Sequence, residues 1–90
     1  MNVEFDKSFE KWLSRITDKA VLKKVEKVIL QLESSQALDQ VANLKKLTGH
    51  NNYFRIQIVD HRLGFELVKK STIRLIIIAD RKDIYRRFPK

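Results

Sequence analysis

Residues 53–79 read YFRIQIVDHRLGFELVKKSTIRLIIIA. In Tyr53–Val59, apolar Phe54, Ile56 and Ile58 alternate with Tyr53, Arg55 and Gln57. That period of two predicts a strand with one buried face. After a turn at Asp60-His61 the alternation resumes, with Leu63, Phe65 and Leu67 on one side and Arg62, Gly64 and Glu66 on the other. Lys69-Lys70-Ser71-Thr72 supplies a second turn. Residues 73–79 then make a third strand, and their nearly unbroken apolar run predicts a place inside the sheet. Three strands joined by short turns form an antiparallel meander with one apolar face to cover.

The first half of the chain provides the cover. Asn2-Val3-Glu4-Phe5 reads as a short strand, and Asp6 as a helix N-cap. Phe9, Trp12, Leu13 and Ile16 then recur at helical spacing. Thr17 and Asp18 break the pattern and cap a second helix that runs to about Ser34, with Val21, Leu22, Val25, Val28, Ile29 and Leu32 on one stripe. Two amphipathic helices with a tight connection predict an α-hairpin on one face of the meander. Gln36 to Asn43 reads as a loop with a helical turn, and Lys45 to Asn52 as a polar, basic connection. The expected fold is α+β: an N-terminal strand, an α-hairpin packed on a small antiparallel sheet, and a short basic-aromatic tail.

Composition bounds the rest. Ninety residues form a single domain spanning 1–90. With 43% hydrophobic residues, two glycines and one proline, the chain is neither disordered nor of low complexity. It contains no cysteine, so no disulfide framework or thiolate metal site is available. No apolar leader opens the sequence, and no run approaches the roughly 18 residues that span a bilayer. A cytoplasmic protein with no membrane partner is expected.

Charge is segregated. Residues 1–44 hold seven Lys/Arg and seven Asp/Glu, which cancel; residues 45–90 hold twelve against four, an excess of eight and the whole net charge of +8. A neutral half joined to a basic half suits a polyanion on one side of the fold.

The sheet face opposite the helices should carry Arg55, Gln57, Arg62 and Glu66. Arg55 and Arg62 sit across a short hairpin, where two forked cations clamp a phosphate or simply ladder with Glu66. Lys45 and Lys46 precede the first meander strand and grip phosphates, supply a base, or remain a solvated pair. Past the last strand, Asp80-Arg81-Lys82-Asp83-Ile84-Tyr85-Arg86-Arg87-Phe88 mixes arginines with a tyrosine. Tyr85 lies four residues after Arg81; on a helical turn the two share a face. Its phenol stacks on an unpaired base, passes a proton, or caps the sheet edge with Ile84 and Phe88 inward. His50 and His61 both fall in expected turns; a pair of imidazoles suits ribonuclease-style acid–base chemistry, but isolated turn histidines are more often plain surface residues, and two are too few for a metal site. No glycine-rich phosphate loop, nucleophile elbow or carboxylate pair is present.

Taken together, Leu44-Lys45-Lys46-Leu47, Tyr53-Phe54-Arg55-Ile56, Arg62-Leu63-Gly64-Phe65 and Asp80-Arg81-Lys82-Asp83-Ile84-Tyr85 make the chain resemble the RelE/ParE superfamily of small toxins from type II toxin–antitoxin pairs. The likeness runs over essentially the whole chain. It implies an mRNA interferase that often works on the ribosome and inhibits translation: the ribose 2′-OH attacks the adjacent phosphate and the 5′ oxygen leaves. It further implies a Lys/Arg/Tyr catalytic set with no metal or cofactor. Arg55 and Arg62 match the basic sheet-face positions, Arg81 the arginine after the last strand, and Tyr85 the tail tyrosine. Lys45, Lys46, His61, Arg86 and Arg87 are then substrate-binding candidates.

Two departures stand out. Many relatives place histidine where this chain has Asp80, and some carry a basic residue where it has Gln57. His61, beside Arg62, is the candidate replacement imidazole. The resemblance also implies a cognate antitoxin that wraps the basic half. Two other outcomes remain open at this level: a ParE-like gyrase inhibitor on the same scaffold, and a nucleic-acid-binding module that does not cut.

Overall fold

The computed structural model describes residues 1–89. Strand β1 (Asn2–Phe5) leads into helix α1 (Lys7–Ser14) and helix α2 (Lys19–Ser34). A single 3-10 turn follows at Leu38–Gln40, then strands β2 (Leu44–Lys46), β3 (Tyr53–Ile58), β4 (His61–Lys69) and β5 (Thr72–Asp80) and a last helical turn α3 (Ile84–Arg87). Among the described residues no helix is long and apolar enough to cross a membrane.

Both long helices start where the sequence predicts. Asp6 accepts from the Ser8 amide at 3.0 Å. Asp18 accepts from the amides of Ala20 and Val21 at 2.9 and 3.4 Å. Each carboxylate satisfies amides that the first turn leaves without a partner, and its charge suits the positive end of the helix. Helix α1 is shorter than its apolar spacing predicts and leaves Ile16 in the connection. At the far end of α2, the Met1 amino group donates to the carbonyls of Leu32, Glu33 and Ser35 at 3.3, 2.9 and 2.8 Å. A cation there meets the negative end of the helix.

The meander is the middle of a larger, mixed sheet of five strands, ordered β1-β5-β4-β3-β2. β1 pairs in parallel with β5, placing Val3 beside Ile73. β2 pairs antiparallel with β3, placing Lys45 beside Arg55. So Lys45 and Lys46 belong to an edge strand and not to the expected polar connection. Lysines on an edge also discourage pairing with other chains. The first hairpin turn is Val59-Asp60, because Ile58 already pairs with His61. That is one residue earlier than the expected Asp60-His61. β5 has two neighbours, as its apolar run predicts. A bulge at Ile76 interrupts its pairing with β4: Gly64 faces Ile77 and Phe65 faces Leu75.

Helices α1 and α2 cover one face. Phe9, Val25, Leu32, Ile56, Leu63, Phe65, Ile73 and Leu75 are buried between them and the sheet. Each such side chain contributes about 1.5–3 kcal/mol by leaving water. Phe54 stacks on Phe65 with ring centroids 5.5 Å apart. A second, smaller cluster of Ile77, Ala79, Ile84 and Phe88 lies on the opposite face. The face expected to be bare is therefore partly roofed by the chain's own tail.

Candidate active site

The tail is folded by its own polar groups. Asp80 Oδ1 accepts from the amides of Lys82 and Asp83, both at 2.9 Å. These amides hold its carboxyl below the ordinary 3.8, the Asp83 amide chiefly, with the charges of His61 and Lys82 adding. Asp80 is thus the cap of the turn that starts α3. Among the described residues Glu4 and Arg74 form a salt bridge at 3.3 Å, and none joins Asp80 to Arg81.

Ile84 at the start of α3 and Phe88 just past its end are both buried. Phe88 settles over Gly64, where an added Cβ would stand 2.7 Å from Phe88 Cδ2 and 2.8 Å from Ile77 Cγ2. The Phe88 ring also meets Tyr53 edge-on, with centroids 5.3 Å apart. With Ile84 and Phe88 turned in, Tyr85 is turned out and is 57% exposed.

Tyr85 then overlooks a cleft of about 480 Å³ whose charged and polar lining is Lys45, Lys46, Thr48, His50 and Arg55. Arg55 reaches it from β3, flanked in register by Lys45 on one side and Gly64 on the other. Its Nε is buried and has no hydrogen-bond partner among the described residues. His50 comes from the loop between β2 and β3. There Gly49 adopts φ 80° and the His50 amide donates to the Leu47 carbonyl at 3.3 Å. A positive φ at this position of a turn favours glycine. The His50 ring approaches Tyr53 edge-on at 6.0 Å.

The remaining sequence candidates lie elsewhere. Arg62 shares the face of Arg55 but not the cleft lining; its Nη1 donates to the Val59 and His61 carbonyls at 3.2 and 3.0 Å. Arg81 is exposed, its amide bonded to the Asp60 carbonyl at 3.1 Å. It precedes α3 and so does not share a helical face with Tyr85. His61 pairs with Ile58 and lies on the helix side, lining a hollow with Trp12, Arg15, Asp18 and Asp80. It cannot supply an imidazole to the Arg55 cleft. Arg86 and Arg87 line a second cavity beyond Phe88. Among the described residues no three His, Asp or Glu side chains group as metal ligands.

Reading the sequence alone set His50 aside as a turn residue. The glycine before it was the available signal: a Gly-His pair in a tight turn fixes where the ring points. Gly64 was likewise read only as part of a polar face, although glycine inside a strand marks a close approach by another group.

No family model matches the chain. A protein named Toxin RelE3, from Methanocaldococcus jannaschii, is 33% identical over 90 residues, 99% of this chain and 100% of that one. This chain belongs to the RelE toxin family. The crystal structure of a RelB–RelE antitoxin–toxin complex from Methanococcus jannaschii aligns with a TM-score of 0.80 and 31% identity, over 96% of this chain and 99% of the other. The archaeal RelE–RelB complex from Pyrococcus horikoshii aligns at 0.71 and 20% identity, over 91% and 96%. The intact E. coli RelBE complex aligns at 0.69 and 20%, over 88% and 94%, and shares the fold. The α+β arrangement expected from the sequence is that of this RelE family.

Proposed function

We propose that this RelE-family chain is the toxin of a type II toxin–antitoxin pair, that residues 1–90 act as one domain, and that it inhibits translation by cutting mRNA on cytoplasmic ribosomes. One observation carries the reading: Lys45, Lys46, His50 and Arg55 from the β2–β3 region and Tyr85 from the tail line one cleft. Four of the five side chains bear or can bear positive charge, and the fifth is an exposed aromatic phenol.

The chemistry follows from that set. The ribose 2′ oxygen bonds to the adjacent phosphorus, and the P–O5′ bond breaks. A 2′,3′-cyclic phosphate and a 5′-hydroxyl result. A base must take the 2′-OH proton, and the departing 5′ oxygen must gain one. Arg55, which lines the cleft, supplies fixed positive charge where the phosphorane forms. His50 and Tyr85 are the groups in the cleft suited to move protons, and Tyr85 also presents a ring to the adjoining base. Lys45 and Lys46 grip the flanking phosphates. Arg62 and Arg81, both beside the Val59-Asp60 turn, extend the basic track. The scheme uses side-chain charge and calls for no metal ion or cofactor.

The inhibitor is a cognate antitoxin, a reading supported by the RelB–RelE complexes among the similar structures. An acidic segment would complement the basic half of this chain. Inducing the protein and mapping mRNA ends tests the proposal. New 5′-hydroxyl ends inside reading frames, with gyrase supercoiling untouched, are expected. Arrested supercoiling without new ends would make it a gyrase inhibitor. RNA binding that falls with salt but yields no ends would make it a binding module.

A further inference from the structure

On the far side of Phe88 from the Arg55 cleft lies a second cavity, also of about 480 Å³. Phe88 and Pro89 line both, so the two chambers share a wall. The second chamber differs in character: Trp12, Tyr53 and Phe88 give it aromatic sides, and Ile76 and Ile77 of β5 contribute to its lining. Ile76 is the bulged residue, and the Ser8 hydroxyl of α1 donates to its carbonyl at 2.7 Å. The bulge is thereby fixed beside the cavity, a placement that re-aims neighbouring side chains. The charged lining residues are Arg86 and Arg87, with no acid among them. Two guanidinium groups stand over the Trp12 indole, that of Arg15 at 4.6 Å and that of Arg87 at 5.4 Å.

We propose that this chamber is a base-binding subsite, in which Trp12 stacks the base of the nucleotide next to the linkage held at Arg55. The inference rests on the nuclease reading above for the neighbouring cleft. A single-stranded RNA offers a phosphate and an unstacked base in alternation, and the two chambers offer cations and aromatic rings in the same alternation. Arg87 is exposed and the more distant of the two guanidinium groups. A base stacked on an aromatic ring is held more strongly than an exposed cation over it, so the base displaces Arg87. The freed guanidinium then meets the phosphate that accompanies the base.

Trp12 is the only tryptophan in the chain, and its emission reports this chamber and the hollow beside His61 that it also lines; the acids of that hollow, Asp18, Asp80 and Asp83, disfavour an oligonucleotide there. The intact protein is titrated with a 2′-O-methyl tetraribonucleotide, with the same oligomer made abasic, and with an oligoglutamate of matched charge. Saturable quenching by the first, with binding about tenfold weaker for the abasic oligomer, is expected. Equal quenching by the abasic oligomer or by oligoglutamate, or none by any ligand, would overturn the subsite. The probe has no 2′-OH to attack, so the result does not depend on cleavage. A chain that cuts RNA yet is not quenched refutes the subsite alone. One that is quenched by bases yet never cuts retains the subsite and refutes the nuclease.

Discussion

Phe88 occupies the space that a side chain at position 64 would fill: a Cβ built on Gly64 comes within 2.7 Å of its ring. The ring belongs to the same short tail as Tyr85, so this contact sets where the phenol stands. In Gly64→Ala either the tail lifts or Ile77 shifts. Overpacking of this kind costs about 1–3 kcal/mol. RNA cutting should fall further than stability does, because a lifted tail removes Tyr85 from the cleft. Denaturant unfolding and a cleavage assay on one preparation check this. Full activity in the variant would break the link between the seat and the site.

Arg55 and Tyr85 should separate by role. In the proposed reaction Arg55→Ala removes the positive charge set against the phosphorane, and cutting should drop by about 10²–10³-fold. Tyr85→Phe keeps the ring and loses the phenol; if the phenol moves a proton, the drop is at least about 10²-fold. The side chain is exposed, so Tyr85→Phe should change stability by less than about 0.5 kcal/mol. Both variants should relieve growth arrest on induction. A Tyr85→Phe protein as active as the parent would leave the tyrosine a stacking role only.

Arg81 stands outside the cleft lining, and its loss should look different. Arg81→Ala should weaken RNA binding and lower the slope of log affinity against log salt by about one, the mark of a single phosphate contact. Single-turnover cutting at saturating protein should persist. Loss of the chemical step there would move Arg81 into the catalytic set.

The Asp80 cap makes the tail sensitive to acid. Its carboxyl titrates below 3.8 in the folded chain, so the bonds to the Lys82 and Asp83 amides are fully present above that value. As pH falls through the lowered value the carboxylate takes a proton, and the stabilisation is lost. Exchange of the Phe88 amide, which donates to the Ile84 carbonyl at 2.8 Å, should quicken below about pH 4 before the sheet amides do. In Asp80→Ala that acid step should vanish, with the faster exchange already present at neutral pH.

Val59 sits in the first hairpin turn at φ 56°, a conformation that a β-branched residue resists. Val59→Asn should stabilise the fold by roughly 1 kcal/mol, since asparagine tolerates the left-handed region. Because the Val59 carbonyl is retained, its bond from Arg62 should survive. A shift in the thermal midpoint is the readout; a lowered midpoint would show that the valine side chain holds the turn.

Most of the scaffold was legible because local chemistry and global fold agree. Asp6 and Asp18 cap helices where their spacing to the apolar stripes says they should, and the alternation in residues 53–68 yields two strands with the expected faces. What escaped was decided by partners distant in the chain. Strand β2 spans three residues and follows no readable alternation; it exists because β3 offers an edge. Nothing in Asn2–Phe5 specifies a parallel partner. Val59 in a turn contradicts its own propensity, which shifted the expected turn by one residue. The family resemblance groups Arg62 and Arg81 with Arg55, and His61 joins them as the neighbour of Arg62. The register sends His61 through to the helix side, and the turn at 59–60 draws the two arginines away.

The parallel pairing of β1 with β5 orders events during synthesis. Asn2 waits for Thr72, seventy positions later, before it gains a sheet neighbour. β5 is also the strand that β4 needs, and the tail bearing Tyr85 follows it. Contacts so far apart close late. A growing chain therefore carries helices and a hairpin but no finished cleft until its last strand and the tail behind it have emerged.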